Sequence, residues 1–218
     1  MGPLRLYTYF RSSATYRVRI ALNLKGLSYD AVPVHLTRDG GEQHKAPFVD
    51  RSPAHLVPVL EDGPFALTQS LAIIEYLEET HPTPPLLPRA PAERARIRAM
   101  AQAIACDIHP INNLRVMQYL EKKLGIDETH RAAWSRHWIE LGFNAIEQLL
   151  SAPEHTGAFC HGDAPSLADC CLIPQVFNAL RVKCAMERWP MIQRIYAHCL
   201  TLPAFERAAP QSQPDFSV

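Results

Sequence analysis

At 218 residues the chain can hold one large domain or two compact ones, each able to bury a core. Lysine plus arginine equals aspartate plus glutamate at 22 each, which leaves no field of one sign for nucleic acid or an anionic membrane, so any anion recognition has to be local. No apolar run nears the roughly 18 residues of a membrane span, and the opening Met1 to Tyr7 has no charged-then-apolar leader, so a cytoplasmic location is expected.

Leu4 to Tyr9 reads as a strand and Tyr16 to Lys25 as an amphipathic helix closed by Gly26. Tyr29 to His35 is a second strand, and its Pro33 sends it to a sheet edge; Pro47 to His55 reads as irregular. Val57 to Thr68 alternates as a hairpin turning at Asp62-Gly63, after which Gln69-Ser70 opens a helix from Leu71 to Glu79. Strand, helix, strand, then strand, strand, helix is the order of a thioredoxin-like domain, here over residues 1–80.

Five prolines between His81 and Pro91 bar both helix and central strand, making 81–91 a linker. Beyond it every segment has a helical period: Ala92 to Leu124, Glu128 to Leu150, Ser166 to Leu180 and Trp189 to Thr201. Residues 92–218 are therefore expected to be all-helical, with Ser166 and Asp169 as a capping box and 210–218 as a loosely held tail. The fold class is α/β plus all-α. Six cysteines, all between Cys106 and Cys199 and without C-x-x-C spacing, read as reduced packing residues.

Arg11-Ser12-Ser13-Ala14-Thr15 occupies the first strand-to-helix turn, where backbone N–H groups lack helical partners and attract an anion. The Ser12 and Ser13 hydroxyls can each add a hydrogen bond to a thiolate, although a serine there also serves as an ordinary helix cap. Gln69-Ser70 offers a second helix N-terminus, suited to a carboxylate. Val57-Pro58, just before a strand, is a candidate cis peptide that would present the Val57 backbone to a peptide-like ligand. For carboxylate recognition the forked guanidinium is the preferred group, and Arg11, Arg115 and Arg181 are the candidates. Arg115 falls on a helix that Pro110 is expected to bend; Asn112 and Asn113 are expected to line a pocket, and His109 to be structural. Arg17 and Arg19 read as charges on a helix face, and Cys106-Asp107-x-His109 has no spacing for a metal.

The stretches Ser12-Ser13-x-x-Tyr16-Arg17-Val18-Arg19-Ile20-Ala21-Leu22, Asp39-Gly40-Gly41-Glu42-Gln43, Val57-Pro58-Val59-Leu60, Gln69-Ser70-Leu71-Ala72-Ile73-Ile74-Glu75-Tyr76 and Ala168-Asp169-x-x-Leu172-x-Pro174-Gln175 together resemble the zeta-class glutathione transferases over nearly the whole chain. The resemblance implies a glutathione transferase fold, glutathione as cofactor, and pairing into a homodimer. It implies that Ser12 and Ser13 face the glutathione sulfur and that Val57-Pro58 meets the cysteinyl backbone. Gln69 and Ser70 would hold the γ-glutamyl end, and Gln43 would reach the glycyl end. Ser12, Ser13 and Arg11 form the expected catalytic set; Arg11, Asn112, Arg115 and Arg181 form the expected substrate set. The activity it implies is cis–trans isomerisation of maleyl-keto acids, maleylacetoacetate first and maleylpyruvate as the alternative; a conjugating or peroxide-reducing transferase is the rival class. Where the family motif usually has Ser-Ser-Cys, this chain has Ala14, so chemistry that needs a protein thiol there is in doubt.

Overall fold

The computed structural model describes residues 3–216. It divides into two compact units, Met1–Leu86 with Thr201–Val218, and Leu87–Leu200. The first unit holds β1 (Leu4–Thr8), α1 (Ser13–Leu24), β2 (Tyr29–Pro33), a short α2 (Phe48–Arg51), β3 (Val59–Asp62), β4 (Phe65–Thr68) and α3 (Ser70–Thr80). The sheet order is β2-β1-β3-β4. β1 runs parallel to β2 with Leu4 opposite Tyr29, and antiparallel to β3 with Leu6 opposite Leu60; β3 and β4 close the hairpin with Val59 opposite Thr68. The proline-bearing β2 is at an edge, where its missing N–H costs no ladder bond. The stretch expected to be irregular, 47–55, carries the turn of helix α2 instead.

α1 starts three residues earlier than its apolar period suggested, because Ser12 caps it: the Ser12 hydroxyl accepts the Thr15 N–H at 3.3 Å. Such a cap is worth about 1 kcal/mol. Nine of the 12 residues of α1 are buried, Arg17 and Arg19 among them at 2% and 0% exposure. The helix-face reading of these two arginines is therefore corrected: α1 is a buried helix, packed by α3 and by the C-terminal segment, and it has no solvated face to give them.

The second unit contains α4 (Pro91–Gln102), a π-helical stretch (Ala103–Ile108), a 3-10 turn (Pro110–Asn112), α5 (Leu114–Lys122), α6 (Glu128–Leu150), α7 (Leu167–Arg181) and α8 (Pro190–Leu200). The single helix expected over 92–124 is thus broken rather than bent. Pro110 has no N–H to continue the ladder and its ring crowds the preceding turn. Asn113 then caps a new helix by accepting the Arg115 N–H at 3.2 Å. At the head of α7 the Asp169 carboxylate takes the Ser166 N–H at 2.8 Å, the Ser166 hydroxyl at 2.7 Å and the Cys160 N–H at 2.9 Å. Burial still raises the Asp169 pKa, and it pushes the Cys160 thiol well up. None of the six cysteines is in a disulfide among the described residues.

The C-terminal stretch, expected with the helical domain and as a loose tail, packs into the first unit instead. α9 (Pro203–Ala208) lies on α1, where Asn23 donates to the Ala204 carbonyl at 2.9 Å. The tail beyond it is held by Gln213, whose side chain donates to the Arg207 and Ala209 carbonyls, both at 2.9 Å. Residues 217 and 218 of that expected tail lie outside the described residues. The first half of the proline-rich linker is tied down as well. Lys25 Nζ, with no side-chain exposure, bonds Glu78 at 2.7 Å and the carbonyls of His81 and Pro84, and Glu78 accepts the Leu86 N–H at 2.9 Å. Among the described residues no helix is long and apolar enough to cross a membrane.

Candidate functional site

The turn between β1 and α1 is built from its carbonyls outward. The Tyr9 carbonyl accepts Ser12 N–H at 3.0 Å, Thr15 Oγ1 at 2.9 Å and Arg19 Nη1 at 3.3 Å, drawing the chain into a tight loop before the helix. The first intrahelical bond is Tyr16 N–H to Ser12 carbonyl at 2.9 Å, so the Ser13 and Ala14 amides precede the ladder and stay available to an anion. Ser12 has the needed division of labour. Its oxygen is spent on the cap, which leaves its single hydrogen to donate outward. Ser13 is buried at the first helical position, and Arg11 is exposed beside the pair, without an ion pair among the described residues.

Arg19 underlies this turn. Its guanidinium also reaches Thr8 Oγ1 and Thr15 Oγ1 at 3.0 Å each, the Phe10 carbonyl at 3.1 Å and the Ala208 carbonyl at 2.9 Å. Burial lowers its pKa to about 10, still far above neutrality, so a full positive charge sits under the anion-seeking turn. The period of α1 carries no signal for this burial, because Ser13, Thr15, Arg17, Arg19 and Asn23 are spread around the helix and leave no continuous polar face to mark which side is solvated.

The second helix N-terminus follows the same logic. Ser70 opens α3, and its oxygen accepts a bond from Arg17 Nη1 at 3.1 Å, again leaving the hydroxyl hydrogen for a ligand. Gln69 caps the helix at φ 68° and ψ 113°. A side chain in that backbone region costs of order 1–3 kcal/mol, and such outliers cluster where ligands are held. Val57-Pro58 is cis, and Val57, buried, stays outside the β1–β3 ladder, which begins at Val59. Its backbone donor and acceptor are thereby left for an extended peptide.

Gln43 is also buried, on a short 3-10 turn. Its Nε2 donates to the Leu36 carbonyl at 3.2 Å, which fixes the amide orientation, while Oε1 is buried with no partner among the described residues. Gly41, at φ 100°, makes room for it, since a Cβ there would meet the Gln43 amide. An orphan acceptor suits a ligand N–H, and the glycyl end that the resemblance assigned to Gln43 carries one in its amide. Serine hydroxyls and helix amides for a sulfur anion, Ser70 for a carboxylate, a spare strand edge and a buried orphan acceptor fit the functional groups of glutathione.

In the helical unit, Asn112 ends the 3-10 turn, and Arg115 is exposed in the first turn of α5. Asn112 is buried; it donates to the Ile108 carbonyl at 3.3 Å, and its Oδ1 has no partner among the described residues. Arg181 ends α7, its Nη2 on Asn178 Oδ1 at 2.7 Å. His109 caps the π-helical stretch at its C-terminal end. Arg11, Ser12 and Ser13 are thus contiguous and Arg17 joins α1 to Ser70 within the first unit, while Asn112, Arg115 and Arg181 belong to the second.

Residues 6–85 match the family model of the glutathione S-transferase N-terminal domain. The chain is 54% identical to a probable maleylacetoacetate isomerase of Vibrio cholerae over 99% of both chains. Its structure is similar to the holo form of a maleylpyruvate isomerase, a bacterial zeta-class transferase, with TM-score 0.95, 47% identity and coverage of 98% and 100% of the two chains. A maleylacetoacetate isomerase of Anaeromyxobacter dehalogenans with glutathione in its active site matches with TM-score 0.87, 42% identity and coverage of 99% and 98%.

Proposed function

The chain belongs to the glutathione transferases, in their zeta class, and on that premise we propose that it is a glutathione-dependent cis–trans isomerase that converts maleylacetoacetate to fumarylacetoacetate. The observation that carries this reading is the Ser12-Ser13 pair at a helix N-terminus with the buried Arg19 guanidinium beneath the turn, in a chain whose relatives are named for that activity along their full length.

A maleyl-keto acid is a conjugated dianion whose central double bond cannot turn until it becomes single. Bound glutathione supplies a sulfur that adds to one carbon of that bond and leaves again after the turn, so it is regenerated. Ser12 and the Ser13 and Ala14 amides hold the sulfur as an anion, lowering the cost of ionising it. Arg11, exposed beside them, is proposed to take a carboxylate or the keto oxygen as charge moves onto it, with Asn112, Arg115 and Arg181 as the helical unit's candidates for the remainder of the substrate. No proton is gained or lost overall, so the site needs no strong general base, and His109 keeps a structural role. Ala14 removes a protein thiol, but the reaction uses only the thiol of glutathione. The cytoplasmic setting and the pairing of two chains belong to the same reading and rest on the resemblance, the former fitting six cysteines of which none is in a disulfide among the described residues.

The test is a spectrophotometric assay of the purified chain on maleylacetoacetate, with and without glutathione. Turnover is expected only with glutathione, which should not be consumed. Failure to isomerise, alongside brisk conjugation of a chloronitrobenzene, would sink the reading in favour of a conjugating transferase. Maleylpyruvate is the second substrate to assay, because the holo maleylpyruvate isomerase is so close in structure; a kcat/KM at least tenfold higher on it would move the assignment there. Arg11→Ala and Arg181→Ala are each expected to lower kcat/KM for the keto acid by roughly 10- to 100-fold, the worth of one hydrogen bond to a charged group, with glutathione affinity kept. Unchanged rates in both would remove the arginines from the substrate set.

A further inference from the structure

The residue that precedes the anion-binding turn is held at both of its backbone polar groups. Phe10 donates its N–H to Asp215 Oδ2 at 3.0 Å, a carboxylate 205 residues away in sequence. Its carbonyl accepts Arg19 Nη2 at 3.1 Å. The Phe10 ring stands edge-on to Phe216, with centroids 5.5 Å apart. Arg19 in turn bonds the Ala208 carbonyl, so the C-terminal segment touches the turn through three separate contacts. Arg11, Ser12 and Ser13 follow Phe10 directly, and hydroxyl donors aimed at an anion lose most of their value if the backbone beneath them can rotate.

From this clamp we infer that Asp215 is a positioning residue of the site: by holding the Phe10 N–H while Arg19 holds the carbonyls of Tyr9 and Phe10, it fixes the two peptide planes on either side of the Phe10 Cα and with them the direction of the Ser12 and Ser13 donors. The inference rests on the glutathione reading of the turn. Asp215 touches neither sulfur nor substrate and acts only through the backbone. A charged acceptor on a backbone N–H is among the stronger hydrogen bonds a side chain can make, which suits it to hold a loop that has no strand or helix of its own. The C-terminal segment is accordingly part of the site's scaffold, and the chain's two ends are functionally coupled.

The experiment compares Asp215→Ala, Asp215→Asn and a chain ending at Gln213, each checked for folding by thermal melting. Bound glutathione is titrated through its thiolate absorbance, and kcat and KM are measured on the keto acid. In Asp215→Ala and the shortened chain the midpoint of thiolate formation is expected to rise by roughly one pH unit, a tenfold loss of thiolate below the midpoint. The kcat should fall several-fold with it, while KM for the keto acid changes little. Asp215→Asn keeps an acceptor oxygen on the Phe10 N–H and is expected to restore both readouts. A lowered wild-type midpoint that neither Asp215→Ala nor the truncation moves would overturn the inference alone. So would an Asn variant as impaired as the Ala variant, since the bond and not the charge is what is claimed. A wild-type chain that leaves the thiol of glutathione at its ordinary midpoint would overturn the inference and the functional reading together.

Discussion

Replacing Ser12 and Ser13 together by alanine is expected to slow isomerisation by about 10²–10³-fold, the range seen when a preorganised donor to a developing anion is removed. Each hydroxyl is asked to supply a bond to a charged sulfur, worth roughly 1.5–3 kcal/mol, so two of them can account for that loss. The two positions should behave differently when changed singly. Ser12 also caps α1, so Ser12→Ala is expected to lose about 1 kcal/mol of stability in addition to rate. Ser12→Thr keeps both the cap and a hydroxyl hydrogen and should recover most of each. Stopped-flow titration of the bound thiol, beside kcat and KM, separates the effects: the thiol midpoint follows the donors, the melting temperature follows the cap. A double variant with wild-type kcat and an unmoved midpoint would leave the serine pair without a chemical role.

The position of that pair was legible in the sequence because a strand-to-helix turn is announced by periods on either side of it. The sheet was legible for the same reason, down to the edge placement of β2, since Pro33 can be tolerated in few other places. What periodicity could not see is contact at long range. Asp215 and Phe10 are 205 residues apart, and Gln213 to Phe216 have no period at all, so the tail looked loose while its side chains were in fact spent on the first unit. Arg17 and Arg19 were misplaced by a prior that sends arginine to the surface, a prior that fails when every side of a helix is covered. The long helix expected over 92–124 failed locally: the capping signal at Asn113 lay three residues after a proline and was absorbed into an apolar stripe that continues on both sides.

The two arginines of the first helix and the lysine that follows it are handled in different ways, and the difference bears on function. Arg19 hydrogen-bonds only neutral oxygens of the turn and of Ala208, and the Asp215 carboxylate acts on it through space and not through a direct ion pair. Arg17 places its charge behind Ser70 at the head of α3. Each of the two helix N-termini with a spare hydroxyl hydrogen therefore has a buried guanidinium behind it, which raises the local potential where a neutral chain would otherwise have none to offer. Lys25 is the structural member of the set, matched by a carboxylate.

Breaking the Lys25 to Glu78 pair from one side is expected to be the largest stability loss available in the first unit. All three ammonium protons are used, on Glu78, His81 and Pro84, and the ammonium is fully buried. Lys25→Met strands a buried carboxylate and two carbonyls, and removing one partner of such a pair typically costs about 3–5 kcal/mol. At roughly 2–4 °C per kcal/mol for a chain of this size, the melting temperature should fall by about 10 °C or more. Glu78→Gln retains an acceptor for the Leu86 N–H and should be milder than Glu78→Leu, which strands that amide as well. Lys25→Met combined with Glu78→Gln should recover part of the loss, because no uncompensated charge is left inside. The order of failure is also specified: segment 81–86 is held to the first unit by these bonds, so limited proteolysis of Lys25→Met should cut there before the core opens. A Lys25→Met chain that melts within a degree or two of the parent, with 81–86 still protected, would mean the pair is no stronger than one on the surface.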